Sequence, residues 1–285
     1  MKFSILIVIL SVISNLWLVF LILIHGKNRE TKRYFILMTL GIIGWIIFNF
    51  LSNYIKDYFP VLLFNKLIFV STAIAAWAFF LFSNVFPGKE ILLKRSLFWA
   101  STFGLLGTIG ISLSPCLVRD VTIKENVSEI NFGWGMYVYV IFLIGCLLAG
   151  LVRFFYKYKL ASNFRIKKSI LLFGGGMIIF LSFSILTNLL FPFLLKEFQF
   201  TNLAPLYTII FLGFTLFSIL RYEFLETKVI LVEMIVGLMG LLLIAQFLMS
   251  QTLVFFLFNG SILGLFCIFA YYLVKATHEE AKRRE

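Results

Sequence analysis

Residues 1–33 read "MKFSILIVILSVISNLWLVFLILIHGKNRETKR". An uncharged apolar run, roughly Phe3–Ile24, ends abruptly at a cluster holding Lys27, Arg29, Lys32 and Arg33. About 20 apolar residues suffice to cross a bilayer as a helix. The run is too long for a signal-peptide core, has no small-x-small cleavage pattern, and carries its positive cluster after the apolar stretch instead of before it. It reads as a retained transmembrane helix. Basic residues favour the cytoplasmic side, so its N-terminus is expected outside.

The rest of the chain repeats the pattern. Hydrophobic residues make up 61% of the 285 and charged residues 13%. A soluble domain has about 45–50% apolar and about 25% charged residues, so this chain cannot cover itself with polar surface in water. Eight further apolar segments follow, at about 34–55, 61–86, 97–113, 135–155, 169–194, 205–220, 229–249 and 253–274. Only "SQT" separates the last two, which predicts a tight helical hairpin. The expected fold is all-α: a polytopic membrane bundle of about nine transmembrane helices.

The basic residues test that count. With nine spans, 19 of the 25 Lys and Arg fall on one side, and only Lys2, Lys56, Lys66, Arg119, Lys124 and Lys196 on the other. A wrong count would scramble this alternation. The expected orientation is N-terminus out and C-terminus in. The net charge of +12 is then explained by anionic headgroups at the cytoplasmic surface, and no nucleic-acid partner is implied.

One outside connection is long: "CLVRDVTIKENVSEINFGWG", residues 116–135. Val118, Val121, Ile123, Val127, Ile130 and Phe132 are interspersed with polar residues around "KEN". This predicts a short extracytoplasmic β-hairpin at about 118–132, the alternative being an irregular loop.

Residues suited to catalysis are scarce. Cys116, Cys146 and Cys267 are too widely spaced for a disulfide framework or a metal site, and neither a metal nor a cofactor is expected. Gly174–Gly176 lie inside an apolar helix with no GK[ST] after them, so they imply close packing or a kink and not a phosphate loop. No paired carboxylates, HExxH or nucleophile–base pair falls at membrane depth, and the chain is not expected to be an enzyme.

A few positions stand out as switch or packing candidates. Glu233 is a carboxylate within an apolar run, expected to snorkel or to pair with Arg221 or Lys228. Gly260 and Gly264 form a GxxxG that suits intrachain packing or a dimer face. Asn49, Asn188 and Gln246 are interior polar residues suited to interhelical hydrogen bonds, and Asn202 with Pro205 suits the start of the seventh helix.

The chain ends "YYLVKATHEEAKRRE", residues 271–285. From Leu265 onward there is no Gly or Pro, so the ninth helix is expected to run unbroken out of the membrane. Glu279 with Arg283 and Glu280 with Arg284 are i,i+4 pairs in the favourable order. Val274, Thr277 and Ala281 could open a parallel coiled coil, the alternative being a solvated charged face. His278 is followed by Glu-Glu-Ala-Lys without Pro, unlike a histidine-kinase phosphoacceptor box.

Several stretches carry a resemblance. "GWGMYVYVIFLI" (133–144) leads to "RFFYKYKLASNFRIKKSILLFGGG" (153–176), "LTNLLFPFLL" (186–195) and "TNLAPLYTIIFLGFTLFSILRYEFLETKV" (201–229). Their succession resembles the N-terminal seven-transmembrane region of bacterial sensor histidine kinases. "ILRYEFLETKV" is similar to that family's exit from the seventh helix, with Glu226 or Thr227 where Asp is usual. Residues 229–285 fit the variant with two more helices and a signalling helix.

The resemblance implies a seven-transmembrane sensor region at 1–228, a transmembrane hairpin at 229–274 and the start of a cytoplasmic signalling helix at 275–285. It implies a multi-pass protein of the bacterial cytoplasmic membrane, relaying an extracytoplasmic or membrane signal through the ninth helix. It also implies a homodimer through the ninth helix and tail, and a cytoplasmic kinase core or response-regulator pathway as partner. No ATP-binding or phosphoacceptor domain is read within residues 1–285, which implies a cut reading frame or a free-standing module. The alternatives are a small-molecule transporter, disfavoured by the sparse midmembrane charge and the lack of internal repeats, and a membrane scaffold without ligand. The signal itself is not legible.

Overall fold

The computed structural model describes residues 2–26, 28–87, 94–123, 128–186, 204–223, 227–248, 250 and 253–284. In chain order they form α1 (Lys2–His25), α2 (Arg29–Tyr54), α3 (Tyr58–Val85), α4 (Arg95–Leu113), β1 (Val118–Ile123) and β2 (Ser128–Phe132). Then come α5 (Gly135–Leu160), α6 (Phe164–Ile185), α7 (Ala204–Glu223), α8 (Thr227–Leu248) and α9 (Leu253–Arg284). The described part of each apolar segment lies on one of these helices; residues 187–194 of the sixth and 249 of the eighth lie outside the described residues. Among the described residues, six stretches are long and apolar enough to cross a membrane: Ile5–Ile24 of α1, α2, α3, α4, α5 and Phe256–Glu279 of α9. Tyr207–Ile219 and Val232–Leu248 are shorter apolar helices.

The helices overrun their apolar runs because their ends are polar yet helix-compatible. α2 starts at Arg29 because Asn28 caps it, its side-chain oxygen accepting from the N–H groups of Glu30 at 3.0 Å and Thr31 at 3.3 Å. Such a cap satisfies donors that no intrahelical partner reaches. α5 passes the apolar limit near Phe155 and ends at Leu160, with Lys157 and Lys159 in its last turn, where cations suit the helix dipole.

The chain divides into two compact units. One is Lys27–Ile170; the other joins Met1–Gly26 to Leu171–Glu285.

In the first unit α2 and α3 form an antiparallel pair. Burial from water does not hold helices together inside lipid; close van der Waals contact does, and small residues permit it. Gly41 of α2 lies so close to α3 that a Cβ there would sit 2.8 Å from the Ala75 nitrogen and 2.9 Å from the Ser71 carbonyl oxygen. Gly44, less than one turn on, faces the Ser71 hydroxyl. α3 and α5 run parallel: Phe69 meets Tyr139 edge-on, and Gly150 admits the Phe79 ring against its backbone.

In the second unit α8 and α9 form the expected antiparallel hairpin. Gln246 of α8 donates to Asn259 of α9 at 3.3 Å, and Asn259 donates to Ser250 at 2.8 Å. α6 and α7 meet through Phe211, which takes Phe173 edge-on and Phe180 at a tilt. α1 packs on α7 and α8.

Candidate functional site

Two places in the molecule combine polar chemistry with an unusual position, one in each unit.

The first is the hairpin. β1 and β2 pair antiparallel, with Val121 opposite Ile130 and Thr122 opposite Glu129, and a bulge between Val118 and Asp120. The strands fall within the expected 118–132; the turn, 124–127, lies outside the described residues. The hairpin is docked on the helices. Leu117, Val118 and Val121 are buried in one cluster with Val61 and Ala73 of α3, Leu105 of α4 and Tyr139 of α5. Polar contacts fix its position: the Tyr58 hydroxyl donates to Asp120 at 2.7 Å, and the Val121 N–H donates to the same carboxylate oxygen.

The hairpin returns to α5 through Gly133, Trp134 and Gly135. The N–H groups of Gly133 and Gly135 donate to the carbonyls of Leu117 and Cys116, both at 2.9 Å. A Cβ on either glycine would strike the Cys116 backbone. One face of the hairpin is thus committed to packing. The other presents Arg119, Asp120, Thr122 and Asn131 to the surroundings, while the Phe132 ring meets Phe69 of α3 edge-on. Period-2 alternation, broken only by the bulge, produces this two-sidedness.

The second place is the α8–α9 pair. Glu233 of α8 and His278 of α9 meet with Oε1 and Nε2 3.5 Å apart. The pairing expected for Glu233 was with Arg221 or Lys228, whose side chains lie outside the described residues. Sequence reasoning missed His278 as a partner because the antiparallel hairpin alone brings the end of α9 back to the start of α8. Near the other end of the pair, Gly260 faces the Phe247 ring, 3.2 Å from where its Cβ would be. Gly264 has nothing within 4 Å. The GxxxG motif is therefore divided, one glycine serving α8–α9 packing and the other open. Arg221 lies in the last turn of α7. Asn188 and Asn202 lie outside the described residues.

Two features were not singled out from the sequence. Ser11, Ser14 and Asn15 of α1 are buried, as are Thr208, Thr215 and Ser218 of α7, and Asn15 donates to Thr208 at 3.2 Å. The i, i+3, i+4 spacing in "SVISN" was the available signal. Lys157 is also buried: its ammonium donates to the carbonyls of Asn84 at 3.0 Å and Phe86 at 2.9 Å. It closes the C-terminal end of α3 with a cation, where carbonyls lack intrahelical partners. In the count of basic residues it looked like one more headgroup lysine.

Apolar helices in this number, with small-residue contacts between them and large side chains such as Phe103, Ile141 and Leu265 turned outward, define a multi-pass helical membrane protein. More narrowly, residues 5–228 match the family model described as the N-terminal 7TM region of histidine kinase. The match spans well over half of the chain, and the chain belongs to that family. No curated protein matches it. The family description concerns the membrane-spanning sensor region of these kinases and not a catalytic domain.

Proposed function

We propose that this chain receives a signal at or outside the membrane and passes it through α9 to a cytoplasmic effector. Residues 1–228 form the sensor region, 229–274 a transmembrane hairpin, and 275–285 the beginning of the signalling helix. The hairpin β1–β2 is extracytoplasmic, and the C-terminal end of α9 lies in the bacterial cytoplasm. The partners are a second copy of the chain, meeting along the α9 face that holds Gly264, and a histidine kinase core or response-regulator pathway.

The observation that carries this reading is the continuity of α9. It spans Leu253–Arg284, 32 residues, without interruption. At about 1.5 Å per residue it is about 48 Å long, against about 30 Å of hydrocarbon. Its first two thirds are apolar and its end is charged. A stiff rod that crosses the membrane and projects beyond it can carry a rotation or an axial shift. The energy required is small, since coupled states differ by a few kcal/mol.

The orientation has a direct test. Cysteines introduced beside Arg29, Lys159 and Arg283, in a chain freed of its native cysteines, label from the cytoplasmic side, and a cysteine at Thr122 labels from outside. External labelling beside Arg283 would remove the output role of α9.

Sensing by the hairpin is tested on its outward face, because its inward face is core. The triple variant Arg119→Ser, Thr122→Ser, Asn131→Ser, fused to a kinase core, shifts autophosphorylation about fivefold or more, the low end of common coupling energies. Its melting temperature in detergent stays that of the parent. Unchanged autophosphorylation would move sensing into the helices.

A further inference from the structure

We propose that the protonated ring of His278 latches the charged end of α9 onto α8, and that deprotonation frees it. The inference rests on the reading of α9 as the output helix and adds a control to it.

Donors and acceptors around the ring decide which of its forms fits. Nε2 of His278 lies 3.5 Å from Oε1 of Glu233. Nδ1 lies 3.0 Å from the carbonyl oxygen of Val274, one turn earlier on α9. Both neighbours are acceptors. A neutral imidazole has one N–H and one bare nitrogen, whereas the imidazolium donates from both. In the neutral form one of the two contacts therefore sets a lone pair against an oxygen. The observed arrangement satisfies the charged ring and opposes the uncharged one.

The positions of the two residues make this a latch. Glu233 lies in the second turn of α8, and its side chain is only 15% exposed, while that of His278 is 47% exposed. The carboxylate is partly withdrawn from water, and a facing cation offsets that cost. The His278 ring is the less enclosed of the two. The contact joins two helices at the point where α9 leaves its apolar phase, so its strength sets how firmly the end of the rod is held.

Other ionisable residues occur on these elements. α9 itself carries Lys275 and Glu279 on either side of His278, and Lys228 precedes Glu233 on α8. α7, which packs on α8, ends with Arg221, Tyr222 and Glu223, and α1, which also packs on α8, ends with His25. Histidine is the side chain whose ordinary titration falls between about pH 5 and 8, so His25 is the group to control. The direction follows from the geometry. The latch holds where the imidazole is protonated and the carboxylate ionised, and it weakens as pH rises through the histidine range.

The test uses the full 285-residue chain in lipid nanodiscs, with native cysteines replaced and spin labels at Ile230→Cys and Ala281→Cys. Electron–electron distances are measured at about pH 6 and about pH 8.5, bracketing the histidine range. The ratio of the close to the separated population falls about two- to fivefold at the higher pH, the scale of a partly exposed ion pair. His278→Gln gives the high-pH distribution at both values. His278→Lys, a permanent cation, keeps the close population at both, and His25→Gln leaves the response as it was. Distances that do not change with pH, or a pH response that survives in His278→Gln, overturn the latch. The measurement needs no kinase. Flat distances thus overturn the latch while leaving the output role of α9 standing. A working latch in a chain whose tail carries no signal would overturn only the output role.

Discussion

Two glycines inserted after Lys275 abolish the dependence of a fused kinase core on the membrane region, while the chain still inserts and folds. The effect expected is loss of the whole stimulus-dependent change in autophosphorylation, about tenfold where the coupling is of ordinary size. Two physical reasons act together. Each glycine costs a helix interior about 1 kcal/mol relative to alanine, so stiffness is lost where the rod leaves the bilayer. Two added residues also turn everything downstream by about 200°, so a rotation arrives on the wrong face. The insertion lies after the candidate span's apolar body and before His278; it carries His278 away from Glu233 but leaves the α8–α9 contacts through Gln246, Asn259 and Gly260 in place. A seven-residue helical insertion at the same place restores the phase to within about 20° and restores the response. If the two-glycine variant signals like the parent, the end of α9 is a cytoplasmic anchor and not an output.

Val121→Asp unfolds the hairpin side of its unit, whereas Thr122→Asp, one residue on, leaves it intact. Val121 is 4% exposed and sits among Val61, Leu105, Leu117 and Tyr139. Removing its side chain forfeits about 1.5–3 kcal/mol of burial. Placing a carboxylate there without a partner costs several kcal/mol more. Thr122 is exposed, and surface changes usually stay within about 0.5 kcal/mol. Thermal unfolding in detergent and hydrogen exchange of the β1 and β2 amides read the difference. Equal melting temperatures for the two variants would mean that the hairpin is not docked as described. The contrast also explains why the outward residues are the ones to alter when sensing is tested. Deleting residues 118–132 would open the cluster that holds α3, α4 and α5 together, and a silent kinase would then report damage instead of lost sensing.

The sequence alone determined the architecture. Lipid imposes two requirements on a spanning segment, an apolar surface and internally satisfied backbone groups. Both are local, so Phe3–Ile24 and the eight later runs could be recognised without knowing what any of them touches. The hairpin was legible for the same reason: Val118, Val121, Ile130 and Phe132 alternate with polar neighbours over a stretch too short and polar to span. The continuity of α9 was legible because helix termination is also a local event, and no Gly or Pro follows Leu265.

Tertiary structure decided the pairings. Gly41 and Gly150 are ordinary glycines in the sequence; only the approach of Ser71, Ala75 and Phe79 makes them necessary. Lys157 reads as a surface lysine until the parallel packing of α5 on α3 carries its ammonium to the carbonyls of Asn84 and Phe86. His278 and Glu233 are 45 residues apart in the chain, and no spacing rule connects them. Their contact depends on the rotation of α8 and α9 about their own axes, which side-chain packing along the whole hairpin sets. Lipid accepts an apolar face in any rotation. The choice of rotation is therefore left to close contacts between particular side chains, and those exist only once the helices are in place.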